Sequence, residues 1–193
     1  MLVHSQEKPI HCPHCNYRCK RRWDLQKHLV SMHSGRPRRK RHEEEACTLL
    51  SEIGIIYERE KVIHFPSPAP RKFARVDVYV RALWGCIVFE VDEYAHSGYD
   101  VEYECTRMAL IHRAMSAKLG GHIHLIRYNP HPIRGKRAHT PDERRAHISR
   151  ALAHVPSECL TITYLFYRMA SDGYPEIASS PAYRLKRYVR AMS

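Results

Sequence analysis

Two cysteines and two histidines fall at Cys12-x2-Cys15-x12-His28-x4-His33. Paired thiolates on a short knuckle and imidazoles one helical turn apart can close a tetrahedron around Zn²⁺. A second set is built of carboxylates. Asp77 stands between Val76 and Val78, and Glu90 and Asp92 stand two residues apart in Phe89-Glu90-Val91-Asp92. Burying like charges together is costly unless a cation joins them. Oxygen-rich groups of this kind suit Mg²⁺ or Mn²⁺. His96 follows Glu93-Tyr94-Ala95 and could move protons for the same group near neutral pH.

These residues need elements to hold them. A helix over residues 21–32 would carry both histidine ligands, with Leu25 as its small core. A helix over 43–53 packs Ala46, Leu49, Leu50 and Ile53, and Gly54 stops it. Tyr57 to Phe65 reads as a strand. Phe73 to Val80 alternates, which puts Val76, Val78 and Val80 on one face and Asp77 on the other. Cys86 to Asp92 is the next strand, with Ile87, Phe89 and Val91 opposed to Val88, Glu90 and Asp92. A hairpin of these two strands would bring Asp77, Glu90 and Asp92 to one side of a sheet. A helix over 102–119 ends at Gly120-Gly121, and a strand runs from His122 to Tyr128. Thr140-Pro141-Asp142-Glu143 is a capping box that opens a helix over 141–154, and Leu160 to Arg168 is a further strand. The tail from Pro181 is basic and tyrosine-rich without a clear pattern. The order α-β-β-β-α-β-α-β predicts an α/β fold, a mixed central sheet flanked by helices.

The 193 residues carry a net charge of +12, unevenly placed. Residues 1–41 hold 11 Lys and Arg against 2 Asp and Glu, whereas residues 42–193 hold 21 against 18. The run Arg36-Pro37-Arg38-Arg39-Lys40-Arg41 suits phosphate tracking or nuclear targeting. The expected partner is double-stranded DNA. Five cysteines outside the zinc set have no framework spacing, and no signal peptide is evident, so an intracellular location is expected, in the nucleus or wherever the target DNA lies. No apolar run approaches the ~20 residues of a membrane span, and no membrane partner is expected.

The Cys/His spacing resembles the Cys2His2 zinc finger, with a ββα fold. Cys19 stands where that family usually has Phe, with Tyr17 as the nearby substitute, so zinc should supply most of the folding energy. By the family's pattern Arg21, Asp24 and Lys27 fall at base-reading positions, and Arg38, Arg39, Lys40 and Arg41 follow as backbone contacts. One finger reads about three base pairs, so the rest of the chain must add specificity.

Asp77, then Glu90-Val91-Asp92-Glu93-x-x-His96, then Glu104-x-x-Arg107 resembles the PD-(D/E)xK, restriction-endonuclease-like superfamily. The similarity is to its very-short-patch repair endonuclease branch, which includes homing endonucleases with a Glu-Asp-x-His-Asp signature. The resemblance spans roughly residues 43–130 and implies a metal-dependent endodeoxyribonuclease. It makes Asp77 the main Mg²⁺ or Mn²⁺ ligand and Glu90 the second. His96 becomes the general acid or base, and Glu104 its partner or a further ligand. The signature's first-helix glutamate maps best to Glu43, with Glu44 and Glu45 one slip away, and Glu60 falls where related sequences place a polar residue. The superfamily's lysine is absent and Asp92 occupies its place, which leaves water activation to His96. The implied organisation is a finger over 1–34, a basic linker over 35–42, an endonuclease domain over 43–168 and a basic extension over 169–193. A homodimer on DNA would allow both strands to be cut. A mismatch- or lesion-directed nickase, a DNA-binding regulator with an inactive nuclease-like domain, and an RNA-directed nuclease with a protein-binding finger are the alternatives.

Overall fold

The structure is a computed structural model that describes residues 9–33, 41–96 and 100–190, without the side chains of Trp23, Lys27, Val30, Ser31, Tyr94 and His96. The chain divides into two compact units, Met1–Arg41 and His42–Ser193.

The first unit is a short hairpin followed by a helix. Strands β1 (Ile10–His11) and β2 (Arg18–Cys19) pair antiparallel, with Ile10 opposite Cys19. Helix α1 (Arg22–His33) follows. The core is small. Cys19 is buried, and Tyr17 is 38% exposed and stacks on His28 with ring centroids 4.0 Å apart. Tyr17 therefore supports a ligand histidine, while Cys19 itself fills the interior position.

The second unit is a mixed α/β layer structure. Helix α2 (Arg41–Glu52) is followed by strands β3 (Glu58–His64), β4 (Phe73–Ala82) and β5 (Gly85–Val91). A 3-10 turn over Glu93–His96 precedes helix α3 (Val101–Leu119). Strand β6 (His122–Tyr128), helix α4 (Pro141–Leu152), β7 (Leu160–Leu165) and β8 (Val189–Arg190) complete it. The sheet order is β3-β4-β5-β6-β7-β8, antiparallel from β3 to β5 and parallel from β5 to β8. The basic tail thus supplies the sixth strand, and Tyr183 packs into the core with its hydroxyl 2.7 Å from that of Tyr164.

Two apolar cores lie on the two faces of this sheet. One packs Val76, Val88, Ile123, Leu125 and Ile162 against Met108 and Ile111 of α3. The other packs Val78, Val80, Ile87, Phe89 and Ile126 against Leu50 of α2 and Ile148 of α4. Helix boundaries follow their caps. Asp100 accepts the Glu102 and Tyr103 amides at the start of α3, and Gly120 ends it at φ 64°. Thr140 and Glu143 form the reciprocal capping box of α4. Gly85 opens β5 at φ 149°, where a Cβ would stand 1.9 Å from the His122 carbonyl oxygen. Only glycine fits so close an approach of two backbones.

The alternation of β4 departs from the simple pattern. Val76 faces the α3 core, whereas Val78 and Val80 face the α2 core. Strand β3 makes the same change, with Tyr57 on the α2 side and Ile63 on the α3 side. The reversal falls at Glu60, whose φ is 50°. A left-handed residue is unusual for a side chain of this size and breaks the pleat of an extended strand. Register is kept on both sides of it, Arg59 opposite Val78 and Lys61 opposite Val76, so Glu60 lies across from Asp77.

Candidate functional site

In the first unit the four expected zinc ligands converge. Cys12 Sγ lies 3.3 Å from His33 Nε2, Cys15 Sγ lies 3.2 Å from His28 Nε2, and the two Nε2 atoms are 3.2 Å apart. Zn–S near 2.3 Å and Zn–N near 2.0 Å place tetrahedral ligands roughly 3.3–3.7 Å from one another. The donor set and its spacing therefore fit Zn²⁺. Arg21 is exposed just before α1, and Asp24 is half-buried in its first turn. Arg41 is exposed at the start of α2. The Lys27 side chain and residues Arg38, Arg39 and Lys40 lie outside the described residues.

In the second unit a different trio of carboxylates meets. Glu43 of α2, Glu60 of β3 and Asp77 of β4 each bring a carboxylate oxygen within 4.8 Å of the others. Each is placed by a distinct cause. Glu43 is buried in the first turn of α2, in line with Ala46, Cys47 and Leu50 on the face that packs against the sheet. Glu60 is turned by its left-handed backbone. Asp77 stands where the β4–β5 ladder ends at Val78 and Phe89, and its Oδ2 accepts the Val91 amide at 2.8 Å. Like charges directly across a strand pair oppose pairing. Arg59 lies 3.6 Å from Glu43, and Arg75 lies 3.4 Å from Glu60, which offsets part of that charge. Three oxygen donors from three elements, one of them buried, fit a hard divalent cation such as Mg²⁺ or Mn²⁺.

Glu90, Asp92 and Glu104 are not in this trio. The expected convergence of Asp77, Glu90 and Asp92 on one face does not occur, because the face reversal at Asp77 leaves Glu90 and Asp92 toward α3. Glu90 accepts from Arg107 Nη2 at 2.7 Å. Asp92 and Glu104 share Arg127. Its Nε and Nη2 donate to the two Asp92 oxygens at 2.6 and 2.9 Å, and Nη2 also donates to Glu104 Oε2 at 2.8 Å. Tyr167 adds a hydroxyl donor to Asp92. All three charged groups are at most 2% exposed. Burial, the largest single cause, works against the Arg127 charge, but the Asp92 carboxylate together with Tyr167 and Tyr164 lifts the guanidinium above its ordinary value. Burial, then Asp92, likewise push Tyr167 up, so its proton stays in place as a donor.

His96 closes the 3-10 turn after β5, and its side chain lies outside the described residues. Arg127 is the cation of a buried network that the sequence pattern did not single out. The signal available was the arginine itself, the one Lys or Arg in the run Ile123 to Tyr128. Glu60 was visible only as a polar position. Its role as third carboxylate follows from register with Asp77. Comparison with family models, with curated proteins and with solved structures gives no match, so the reading of both centres rests on their own geometry.

Proposed function

We propose that this chain is a DNA endonuclease of the homing or mobile-element type, docked by the zinc-finger unit and cutting with the second unit. The observation that carries the reading is the meeting of Glu43, Glu60 and Asp77 at the one left-handed residue of β3. Strain and mutual repulsion at one place are tolerated where a function uses them. The restriction-endonuclease-like resemblance, a mixed sheet with helices on both faces, and the charge of the first 41 residues support it.

Glu43, Glu60 and Asp77 would hold the divalent cation, which supplies Lewis acidity to a phosphoryl group when bound. Asp77 is fixed by the Val91 amide, so its remaining lone pairs point from a rigid strand end. Glu90 orients Arg107, and Arg107 also donates to the Arg75 carbonyl at 3.0 Å, tying α3 to β4 beside the carboxylates. The Arg127 network holds the end of β5 against α3, and so fixes the start of the turn that leads to His96. His96 would give or take the proton in this reading.

The test is relaxation and linearisation of plasmid or randomised-library DNA by purified protein with Mg²⁺, Mn²⁺ or chelator. Cutting that needs the cation and is lost in Asp77→Asn and Glu60→Gln supports the reading. Metal-independent cutting, or cutting kept in both variants, overturns it. A DNA-binding regulator with an inactive nuclease-like unit is the second reading, favoured by the capture of Glu90 and Asp92 by arginines. It predicts zinc-dependent DNA binding and no strand breakage with any cation.

A further inference from the structure

A cleft of about 670 Å³ lies between the β3–β4 connection and the first turns of α3. Three aromatic rings line it, Phe65, Phe73 and Tyr103, together with three guanidinium groups, Arg71, Arg75 and Arg107. Phe73 is 49% exposed, an unusual state for a phenylalanine at the head of a core strand. The Arg71 guanidinium sits 4.6 Å from the centre of the Tyr103 ring, a flat cation over a flat face. The two acids at the rim are engaged elsewhere. Asp100 caps α3, and Glu102 pairs with Arg184 at 2.8 Å.

We propose that this cleft is a nucleotide subsite that takes one unstacked base of a bound nucleic-acid strand, with Phe73 and Tyr103 as stacking faces and Arg71 and Arg75 on the flanking phosphates. Every base has a π face, and aromatic platforms beside basic side chains are how single strands are held without sequence readout. Planar guanidinium groups match phosphate in two-point contacts. The volume falls in the ordinary range for a small-ligand site of roughly 300–1,000 Å³. One of the arginines also links the cleft to the carboxylate trio. Arg75 reaches Glu60 at 3.4 Å. A strand seated in the cleft therefore lies one arginine away from the candidate metal site. The proposal rests on the nucleic-acid reading above, but its test does not require cutting.

The probe is a single-stranded oligothymidine carrying one 2-aminopurine, titrated against the full chain bearing Asp77→Asn. Stacking of the reporter base on an aromatic ring quenches its emission. Phe73→Ala and Tyr103→Ala are expected to weaken binding about tenfold each and to abolish the quench. Phe73→Tyr should keep both, which separates stacking from folding, and Arg71→Ala should lower the salt slope by about one. No quench with the parent protein, or an unchanged quench and affinity in Phe73→Ala, overturns the proposal. Absence of any cutting by the wild-type chain, with the quench intact and sensitive to Phe73, would sink the nuclease reading and leave the subsite standing.

Discussion

At the scale of single residues, the molecule separates carboxylates that meet one another from carboxylates held by a buried arginine. Asp92 and Glu104 belong to the second kind, through Arg127. Removing one member of a buried ion group leaves an uncompensated charge in a low-dielectric interior. Arg127→Leu is therefore expected to cost about 3–5 kcal/mol, read as a lower urea midpoint at pH 7. Glu43, Glu60 and Asp77 belong to the first kind, and their variants should behave in the opposite way. Glu60→Gln relieves repulsion, so metal-free stability should hold or rise. Cation binding to the native state stabilises by mass action, about 3 kcal/mol at a hundredfold excess over Kd. Mn²⁺ should accordingly raise the melting temperature of the wild-type second unit and leave that of Glu60→Gln unmoved. An equal rise in both would place the cation elsewhere.

At the scale of elements, caps and close approaches decide where the site-bearing segments start. Thr140 accepts the Glu143 amide while Glu143 accepts the Thr140 amide. Thr140→Ala should lower stability by about 1 kcal/mol, measured by denaturant unfolding. Arg137 and the Thr140 amide hold the Glu143 carboxyl down to about 2. A carboxyl depressed in the folded state contributes stability that is present above its unfolded value. That contribution is lost as pH falls through the folded one. The α4 cap should therefore weaken between about pH 4.5 and 2, seen as faster amide exchange in the first turn of α4. Gly85→Ala drives a methyl into the His122 carbonyl and should prevent β5 from meeting β6 in register, which soluble expression and circular dichroism would reveal. The element boundaries were legible because these signals are local: a Pro after Thr, a Gly after a periodic run. The face reversal at Glu60 was not, because Val76, Val78 and Val80 alternate perfectly as letters. Only the backbone angle of the residue opposite Asp77 shifts the pattern by one.

At the scale of the whole molecule, two units with different supports should lose structure separately. The first has a core of a few side chains and a Cys2His2 cluster that could hold zinc, which would then supply most of its folding free energy. A zinc chelator is expected to remove the signals of α1 while the six-stranded unit keeps its cooperative transition, followed by two-dimensional NMR. Loss of both together would show that the second unit depends on the first. The second unit also carries a buried neutral histidine. Burial is the main cause that pushes His124 down to about 3, and it hydrogen-bonds Thr163 at 2.9 Å. Below about pH 6.5 the unfolded chain binds a proton there that the folded chain refuses, so stability falls as pH drops from 6.5 toward 3. His124→Gln should flatten that limb of the stability profile, and an unchanged slope would assign it to other groups.

The meeting of Cys12, Cys15, His28 and His33, the order of helices and strands, and the concentration of positive charge before residue 42 were determined by the sequence alone. Each depends on neighbours a few positions apart or on simple sums of charge. Which acids meet was decided only by the tertiary structure. Glu43, Glu60 and Asp77 come from a helix and two strands, while Glu90, Asp92 and Glu104 are drawn away to Arg107 and Arg127. The physical reason is that a strand's face is set by a period of two. The left-handed Glu60 breaks it across from Asp77, so Asp77 meets Glu43 of α2 while Glu90 and Asp92 keep the face toward α3.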